Sequence, residues 1–101
     1  MTELLFVYGT LRFPDIQQKI VGRILFGELD ILEGYTTVQI SIDGDSYPIL
    51  AEAINKNVSG LVFDILPTDF SALDEYEGDS YKRVKVLLKS KKEAWVYKKN
   101  E

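Results

Sequence analysis

The stretch Leu4–Gly22, LLFVYGTLRFPDIQQKIVG, contains in order the signals of a strand, a tight turn and a helix. The apolar run that ends at Tyr8 is followed directly by a glycine, which is typical of a buried strand that enters a turn. Pro14 near the beginning and Gly22 at the end bracket a short helix. The apolar side chains expected on the inner face of this helix are Ile16, Ile20 and Val21.

The remainder of the chain alternates between extended segments and turn signals, with one further helix. The extended segments cover residues 23–33, 36–42, 47–53, 59–66, 81–89 and 93–98, with turn signals at Asp43-Gly44-Asp45, Asn55-Lys56-Asn57 and Ser90-Lys91-Lys92. The second helix is expected between Pro67 and Gly78, with Thr68 as its cap. About six or seven short strands with only two short helices favour an α+β fold, a small mixed β-barrel with flanking helices, over a doubly wound sheet.

Composition limits both the size of the fold and the available chemistry. The chain has 101 residues, of which 46% are hydrophobic and 28% charged, as expected of one folded domain spanning residues 1–101. It contains no cysteine and no histidine, which excludes thiol nucleophiles, disulfides, histidine acid–base pairs and Cys/His zinc sites. We therefore expect no metal and no other cofactor. The sequence begins without a charged segment followed by an apolar one, so we expect a soluble, cytoplasmic protein without membrane contact.

The positive charge is concentrated near the end of the chain. Eight of the twelve Lys and Arg residues lie between Lys82 and Lys99. They mostly alternate with apolar residues, which favours a strand with one solvated face over a nucleic-acid-binding surface. In the nucleic-acid alternative, three aromatic side chains of this hairpin would stack on bases: Tyr81, Trp95 and Tyr97.

Glu77 is the carboxylate whose predicted position conflicts most with local rules. Spacings of four, three and four residues place it on the inward face of the second helix, behind Leu66, Phe70 and Leu73. Desolvation there and the negative end of the helix dipole would both raise its pKa. A carboxylate in such a position indicates a functional site, unless the helix frays at Tyr76 and Glu77 is solvated. The other acidic side chains expected to face water are Asp69, Glu75 and Asp79.

The turn after the first strand offers donors to a ligand. Gly9 has no side chain, so the backbone N–H groups that follow it can approach a ligand oxygen closely. Thr10 would add a hydroxyl group. Arg12 would pair either with a substrate carboxylate or with a neighbouring acidic residue such as Asp74.

Five stretches occur in an order and with spacings that resemble a known family. They are FVYGTLR at Phe6–Arg12, YPIL at Tyr47–Leu50, VSGLVFDI at Val58–Ile65, LDEYEGDSYKRVKV at Leu73–Val86 and AWVY at Ala94–Tyr97. Together they resemble the gamma-glutamylcyclotransferase superfamily, and the opening YGTLRFPDIQQKIVGR is similar to its avirulence-induced, gamma-glutamylamine cyclotransferase-like branch. The resemblance covers nearly the whole chain.

The resemblance implies a mixed β-barrel with a cavity between the YGTL loop and the end of the second helix. It implies that Glu77 is the catalytic acid and base, and that Tyr81 orients the bound substrate or this carboxylate. The loop that would hold the glutamyl end of a small substrate consists of Tyr8, Gly9, Thr10 and Leu11. The implied reaction is attack of the substrate α-amine on its own γ-carbonyl, which gives 5-oxoproline and a free amine without a metal.

Two other functions fit the same residues. The barrel would be a non-catalytic module that binds or senses a small molecule if it kept the pocket without turnover. It would be a nucleic-acid binder if the basic hairpin were the functional surface, which the alternation of charged and apolar residues disfavours.

Overall fold

The computed structural model describes residues 2–99, which form five strands, two α-helices and two short 3-10 turns. The strands are β1 (Glu3–Val7), β2 (Gly27–Ile42), β3 (Asp45–Ile65), β4 (Tyr81–Leu87) and β5 (Glu93–Lys99). The helices are α1 (Pro14–Val21) and α2 (Phe70–Glu77), and the 3-10 turns cover Thr10–Arg12 and Pro67–Asp69. No helix among these residues has the length and apolar character needed to span a membrane.

The five strands form one mixed sheet in the order β2-β3-β1-β5-β4. Strands β1 and β5 run parallel, with Leu5 opposite Trp95, and the other neighbouring pairs are antiparallel. Two such short helices beside a mixed, curled sheet confirm the predicted α+β class. The sheet is a half-barrel.

The strands number five in the described residues, rather than six or seven, because two expected breaks lie inside continuous strands. Glu33 pairs with Asn57 and Tyr35 pairs with Glu52, so residues 53–56 stand opposite Gly34 alone. Gly34 and Asn55 both have positive φ angles, of 85° and 64°. The glycine and asparagine signals therefore mark a bulge between β2 and β3 instead of the ends of strands.

The connection between β4 and β5 folds back onto β2 and gives the sheet its curl. The backbone N–H of Lys89 donates to the Ile31 carbonyl at 2.8 Å, and the Ser90 hydroxyl donates to Asp30 at 2.5 Å. An exposed ion pair joins Lys92 to Glu28 at 3.2 Å. These contacts bring the two ends of the sheet toward each other.

Alternating side chains of β1 enter two apolar clusters, one on each face of the sheet. Leu5 and Val7 belong to the cluster beneath the helices, and Phe6 belongs to the cluster inside the curl. The three α1 side chains predicted to face inward do pack against the first cluster: Ile16, Ile20 and Val21. Gly22 ends α1 in the left-handed region with φ of 78°, as its position predicted.

The beginning of α2 differs from the sequence prediction. Thr68 is exposed, and the side chain that caps this segment is Asp69, whose carboxylate accepts the Leu66 backbone N–H at 2.8 Å. The same carboxylate receives two hydrogen bonds from Arg23, at 3.0 and 2.6 Å. These hydrogen bonds lower the pKa of Asp69. The expectation that Asp69 faces water is wrong, because a paired carboxylate can be buried and Asp69 is only 9% exposed.

Candidate functional site

A cavity of about 330 Å³ lies where β1 ends, between the turn that follows this strand and the end of α2. Its wall contains five of the six tyrosines of the chain and one charged side chain, Glu77. The residues that line it are Phe6, Val7, Tyr8, Gly9, Thr10, Leu11, Tyr47, Pro48, Tyr76, Glu77, Ser80, Tyr81 and Tyr97. The six residues to which the sequence assigned a role in catalysis or substrate binding are all among them.

The last residue of α2 is Glu77, and the helix ends at Gly78 with φ of 78° and ψ of −177°. This backbone conformation favours glycine, so the Glu-Gly pair turns the chain immediately after the carboxylate. The predicted inward positions of Phe70, Leu73 and Glu77 are confirmed, whereas Leu66 precedes the helix and is 45% exposed. The alternative in which the helix frays before Glu77 is wrong. Burial in the cavity wall raises the pKa of Glu77 to about 7. The group can therefore exchange a proton near neutral pH.

Glu77→Gln is expected to stabilise the fold at high pH and to leave its stability unchanged at low pH. The carboxyl ionises near its ordinary pKa of 4.5 when the chain is unfolded and near 7 when it is folded. Between these values the unfolded chain releases its proton first, so the free energy of unfolding falls as pH rises and stays lowered above pH 7. A pKa shift of this size corresponds to a loss of roughly 3 kcal/mol, at most, in the free energy of unfolding.

Urea unfolding of the wild type and the variant at about pH 4 and about pH 8 measures this effect. Glu75→Gln is the matched control, because Glu75 lies on the exposed side of α2. A stability gain at the higher pH that disappears at the lower one is expected for Glu77 alone. Equal stabilities of wild type and Glu77→Gln at the higher pH would show that Glu77 is solvated.

Two phenols beside Glu77 are fixed by hydrogen bonds to backbone carbonyls. The Tyr8 hydroxyl donates to the Tyr97 carbonyl at 2.7 Å, and the Tyr81 hydroxyl donates to the Pro48 carbonyl at 3.0 Å. Burial and then the negative charge of nearby groups, Glu77 among them, raise the pKa of both phenols. Both phenols therefore stay neutral and keep their orientation over the pH range in which Glu77 titrates.

The turn after β1 leaves open space where its glycine faces the cavity. A Cβ atom built on Gly9 would meet only the Pro48 side chain, at 4.0 Å. The Thr10 hydroxyl lies 2.6 Å from the Tyr76 hydroxyl and so joins the turn to α2 across the mouth of the cavity. Leu11, by contrast, buries its side chain in the cluster beneath the helices.

Arg12 does not pair with Asp74, so that expectation is wrong. Its Nε donates to the Gly9 carbonyl at 2.9 Å and thereby closes the turn on itself. Asp74 is held instead by Arg83, at 2.7 and 3.1 Å, and by the Tyr97 hydroxyl at 2.7 Å. Strand β4 begins at Tyr81, shortly after α2 ends, and its Arg83 side chain reaches back to Asp74.

Gln17 is a supporting residue that the sequence analysis did not single out. It is almost completely buried, its Nε2 donates to the Leu11 carbonyl at 3.0 Å, and its Oε1 accepts the Leu25 N–H at 2.8 Å. These bonds tie the turn after β1 to the segment after α1. An amide in an apolar helix face is the one signal for such a role, because a buried amide requires partners.

The aromatic residues of the basic hairpin do not share one exposed face. Tyr97 is buried, and Tyr81 lines the cavity. Trp95 packs edge-on against Phe70, with ring centroids 5.9 Å apart, and its Nε1 donates to Glu3 at 3.2 Å.

Among residues 2–99, no group of three or more acidic side chains converges in a way that could hold a metal ion.

Several solved structures have the same fold. A protein from Arabidopsis thaliana, known from a solution structure, superposes with a TM-score of 0.83 at 23% identity, over 98% of this chain and 62% of its own. An uncharacterized protein from Homo sapiens superposes with a TM-score of 0.83 at 17% identity, over 99% of this chain and 68% of its own. A structure described as a gamma-glutamyl cyclotransferase gives a TM-score of 0.77 at 17% identity, over 100% of this chain and 68% of its own.

The chain spans only 62–68% of the length of these three structures, and at these identities the similarity shows the fold. No curated protein matches the sequence significantly. A family model described as gamma-glutamyl cyclotransferase, AIG2-like, matches residues 5–101, which is nearly the whole chain. The chain therefore belongs to the AIG2-like gamma-glutamyl cyclotransferase family.

Proposed function

We propose that this protein cleaves a gamma-glutamyl amide by internal cyclisation, with Glu77 as the group that accepts and returns the proton. The observation that carries the proposal is the position of Glu77, which is the one charged side chain among the residues that line the cavity. Desolvation raises its pKa to about 7, which suits a group that must act as both base and acid near neutral pH. Membership of the family supports cyclotransferase chemistry in general.

The reaction moves one proton and exchanges one C–N bond for another. The α-amine of the substrate attacks its own γ-carbonyl carbon, and the proton that leaves the attacking nitrogen passes to Glu77. The tetrahedral intermediate then expels the amine, whose nitrogen receives that proton from Glu77 as the original amide bond breaks. The products are 5-oxoproline and a free amine. No enzyme nucleophile is required, in agreement with a chain that has no Cys and no His.

The turn from Gly9 to Leu11 would contribute by holding the glutamyl chain in a folded conformation. Correct orientation of an intramolecular reaction lowers its barrier by up to roughly 7–11 kcal/mol. Backbone N–H groups of the turn are suited to the substrate carboxylate or to the oxyanion that develops at the γ-carbon. Tyr8 and Tyr81 border the same space and would fix the position of the substrate beside Glu77.

Gly9→Val is expected to weaken ligand binding by about tenfold or more while leaving the thermal stability nearly unchanged. A Cβ at this position meets no protein atom closer than 4.0 Å, so the added side chain fits the fold but occupies space in the cavity. Isothermal titration with a gamma-glutamyl amide in the Glu77→Gln background, in which turnover is blocked, measures the affinity. Equal affinity with and without the valine would show that the glycine serves only the turn.

The identity of the products tests the proposal against simple hydrolysis. Cyclisation yields 5-oxoproline and the amine in equal amounts, whereas attack by water would yield glutamate and the amine. Chromatography of both products from one reaction distinguishes the two routes. Glutamate as the main initial product would reject cyclisation.

A non-catalytic binding module is the second candidate, and one observation favours it. The structure described as a gamma-glutamyl cyclotransferase is only 17% identical to this chain, a level at which similarity supports the fold but not the catalytic activity. A module of this kind would bind a gamma-glutamyl compound through the same cavity without releasing 5-oxoproline.

A further inference from the structure

Tyr97 connects the two sides of the cavity. It lies on β5, it is buried, and it lines the cavity. Its hydroxyl donates to Asp74 on α2 at 2.7 Å, while its backbone carbonyl accepts the Tyr8 hydroxyl at 2.7 Å. Tyr97 thus contacts both α2, which carries Glu77, and Tyr8, which follows β1 on the opposite side of the cavity.

Asp74 lies three residues before Glu77, so both side chains project from the same side of α2. Arg83 on β4 donates two hydrogen bonds to the Asp74 carboxylate, at 2.7 and 3.1 Å. The Arg83 guanidinium also lies 3.8 Å from the centre of the Phe70 ring, one turn earlier on the same helix. The face of α2 that precedes Glu77 is therefore attached to β4 and β5 at two successive turns.

These polar contacts contribute little to global stability. The Asp74 side chain is 46% exposed and the Arg83 side chain 26%, and ion pairs at such exposure are weakened by solvent and salt. Partial desolvation opposes ionisation of Asp74, but the hydrogen bonds from Arg83 and Tyr97 outweigh it and lower the pKa of Asp74. Asp74 is thus ionised at neutral pH and has defined partners, which suits a group that fixes an orientation.

We propose that Tyr97, acting through Asp74, is a positioning residue that holds α2 in the orientation at which Glu77 enters the cavity. The inference rests on the proposed function in so far as a correctly placed Glu77 is needed for turnover. The placement itself is measured separately, through the environment of the Glu77 carboxyl.

Titration of Glu77 reports its position, because none of its titratable neighbours changes charge near neutral pH. These neighbours are Asp74 on α2, whose pKa is lowered, and three phenols, whose pKa values are raised by burial: Tyr8 immediately after β1, Tyr81 on β4 and Tyr97 on β5. Tyr97→Phe therefore removes a neutral hydroxyl and no charge. A lower titration midpoint of Glu77 in this variant therefore indicates that its carboxyl has moved toward solvent.

The experiment is ¹³C NMR titration of the side-chain carboxyl of Glu77 in the whole protein, assigned by comparison with Glu77→Gln. Tyr97→Phe keeps the buried ring, and Asp74→Asn keeps the shape of its partner, so both variants are expected to fold. In Tyr97→Phe, which removes no charge, the Glu77 midpoint should fall by about half a pH unit or more toward its ordinary value. Asp74→Asn also removes a negative charge from the same helix, which by itself lowers the Glu77 midpoint, so the fall in Tyr97→Phe is the decisive one. Tyr35→Phe is the matched control, because Tyr35 packs inside the curl and does not line this cavity.

Kinetics provide the second readout. Tyr97→Phe should lower kcat by about tenfold while KM changes less than about twofold, since the proton-transfer geometry is disturbed and the binding loop is not. The double variant with both Tyr97→Phe and Asp74→Asn should lose no more kcat than the more damaging single variant, because both substitutions break the same contact. A wild type that releases no 5-oxoproline would reject the proposed function, yet the titration would still decide the positioning role. An unchanged Glu77 midpoint in folded Tyr97→Phe would overturn the inference.

Discussion

Glu77→Gln is expected to reduce the rate of 5-oxoproline release by about 10³–10⁴-fold. Glutamine keeps the shape and the hydrogen-bonding reach of glutamate but cannot accept a proton from the α-amine or return one to the leaving nitrogen. One group would serve both transfers, which places the loss toward the upper end of the range for general acid–base catalysis. Initial rates of 5-oxoproline formation at saturating substrate give the comparison.

Glu75→Gln is the matched control for this loss. Glu75 lies on the same helix two residues earlier, with its side chain exposed to solvent. The same chemical change there is expected to leave the rate within about twofold of the wild type, in keeping with the small effects of surface substitutions. Near-normal turnover by Glu77→Gln, together with a large loss in Glu75→Gln, would show that the catalytic carboxylate is assigned to the wrong residue.

The second large effect is a loss of activity in mildly acidic solution. Burial raises the pKa of Glu77 to about 7, and the carboxyl must be ionised to act as the base. The value of kcat/KM should therefore fall about tenfold for each pH unit below 7 and be roughly 100-fold below its plateau at pH 5. An unperturbed glutamate would keep the profile nearly flat to about pH 5.

Unfolding does not account for this loss, because protonation of Glu77 favours the folded state. The raised pKa means that the contribution of this group to stability improves as pH falls from 7 toward 4.5. Circular dichroism at each pH verifies that the fold is retained. A profile that stays flat from pH 8 to about pH 5 would contradict a buried, proton-transferring Glu77.

Local patterns predicted the elements whose determinants lie close together in the sequence. Pro14 and Gly22 defined α1 correctly because the cap residues and the helix they bracket are neighbours. The spacing within α2 placed Glu77 inward because helical periodicity fixes which side chains share a face. The cavity wall around Tyr8 and Glu77 followed from resemblance in sequence motifs, since the two residues are remote in the chain.

Features that depend on distant partners could not be predicted in this way. Asp69 is buried because Arg23, 46 residues away, folds back onto it. Asn55 signals a turn, but β2 is available as a partner on either side of it, so the ladder continues across a bulge. The burial of Gln17 depends on the carbonyl of Leu11 and the N–H of Leu25, which meet only in the folded chain.

The most direct test of the central claim, that this cavity turns over a gamma-glutamyl amide, is a substrate screen with paired binding measurements. Gamma-glutamyl amines, gamma-glutamyl dipeptides and glutathione are each incubated with the wild type and with Glu77→Gln, and 5-oxoproline is quantified while calorimetry measures binding to both. We expect at least one compound to bind both proteins with similar affinity and to yield 5-oxoproline only with the wild type. Binding that depends on the cavity, with no 5-oxoproline from any compound, would contradict the catalytic account and identify the protein as a binding module.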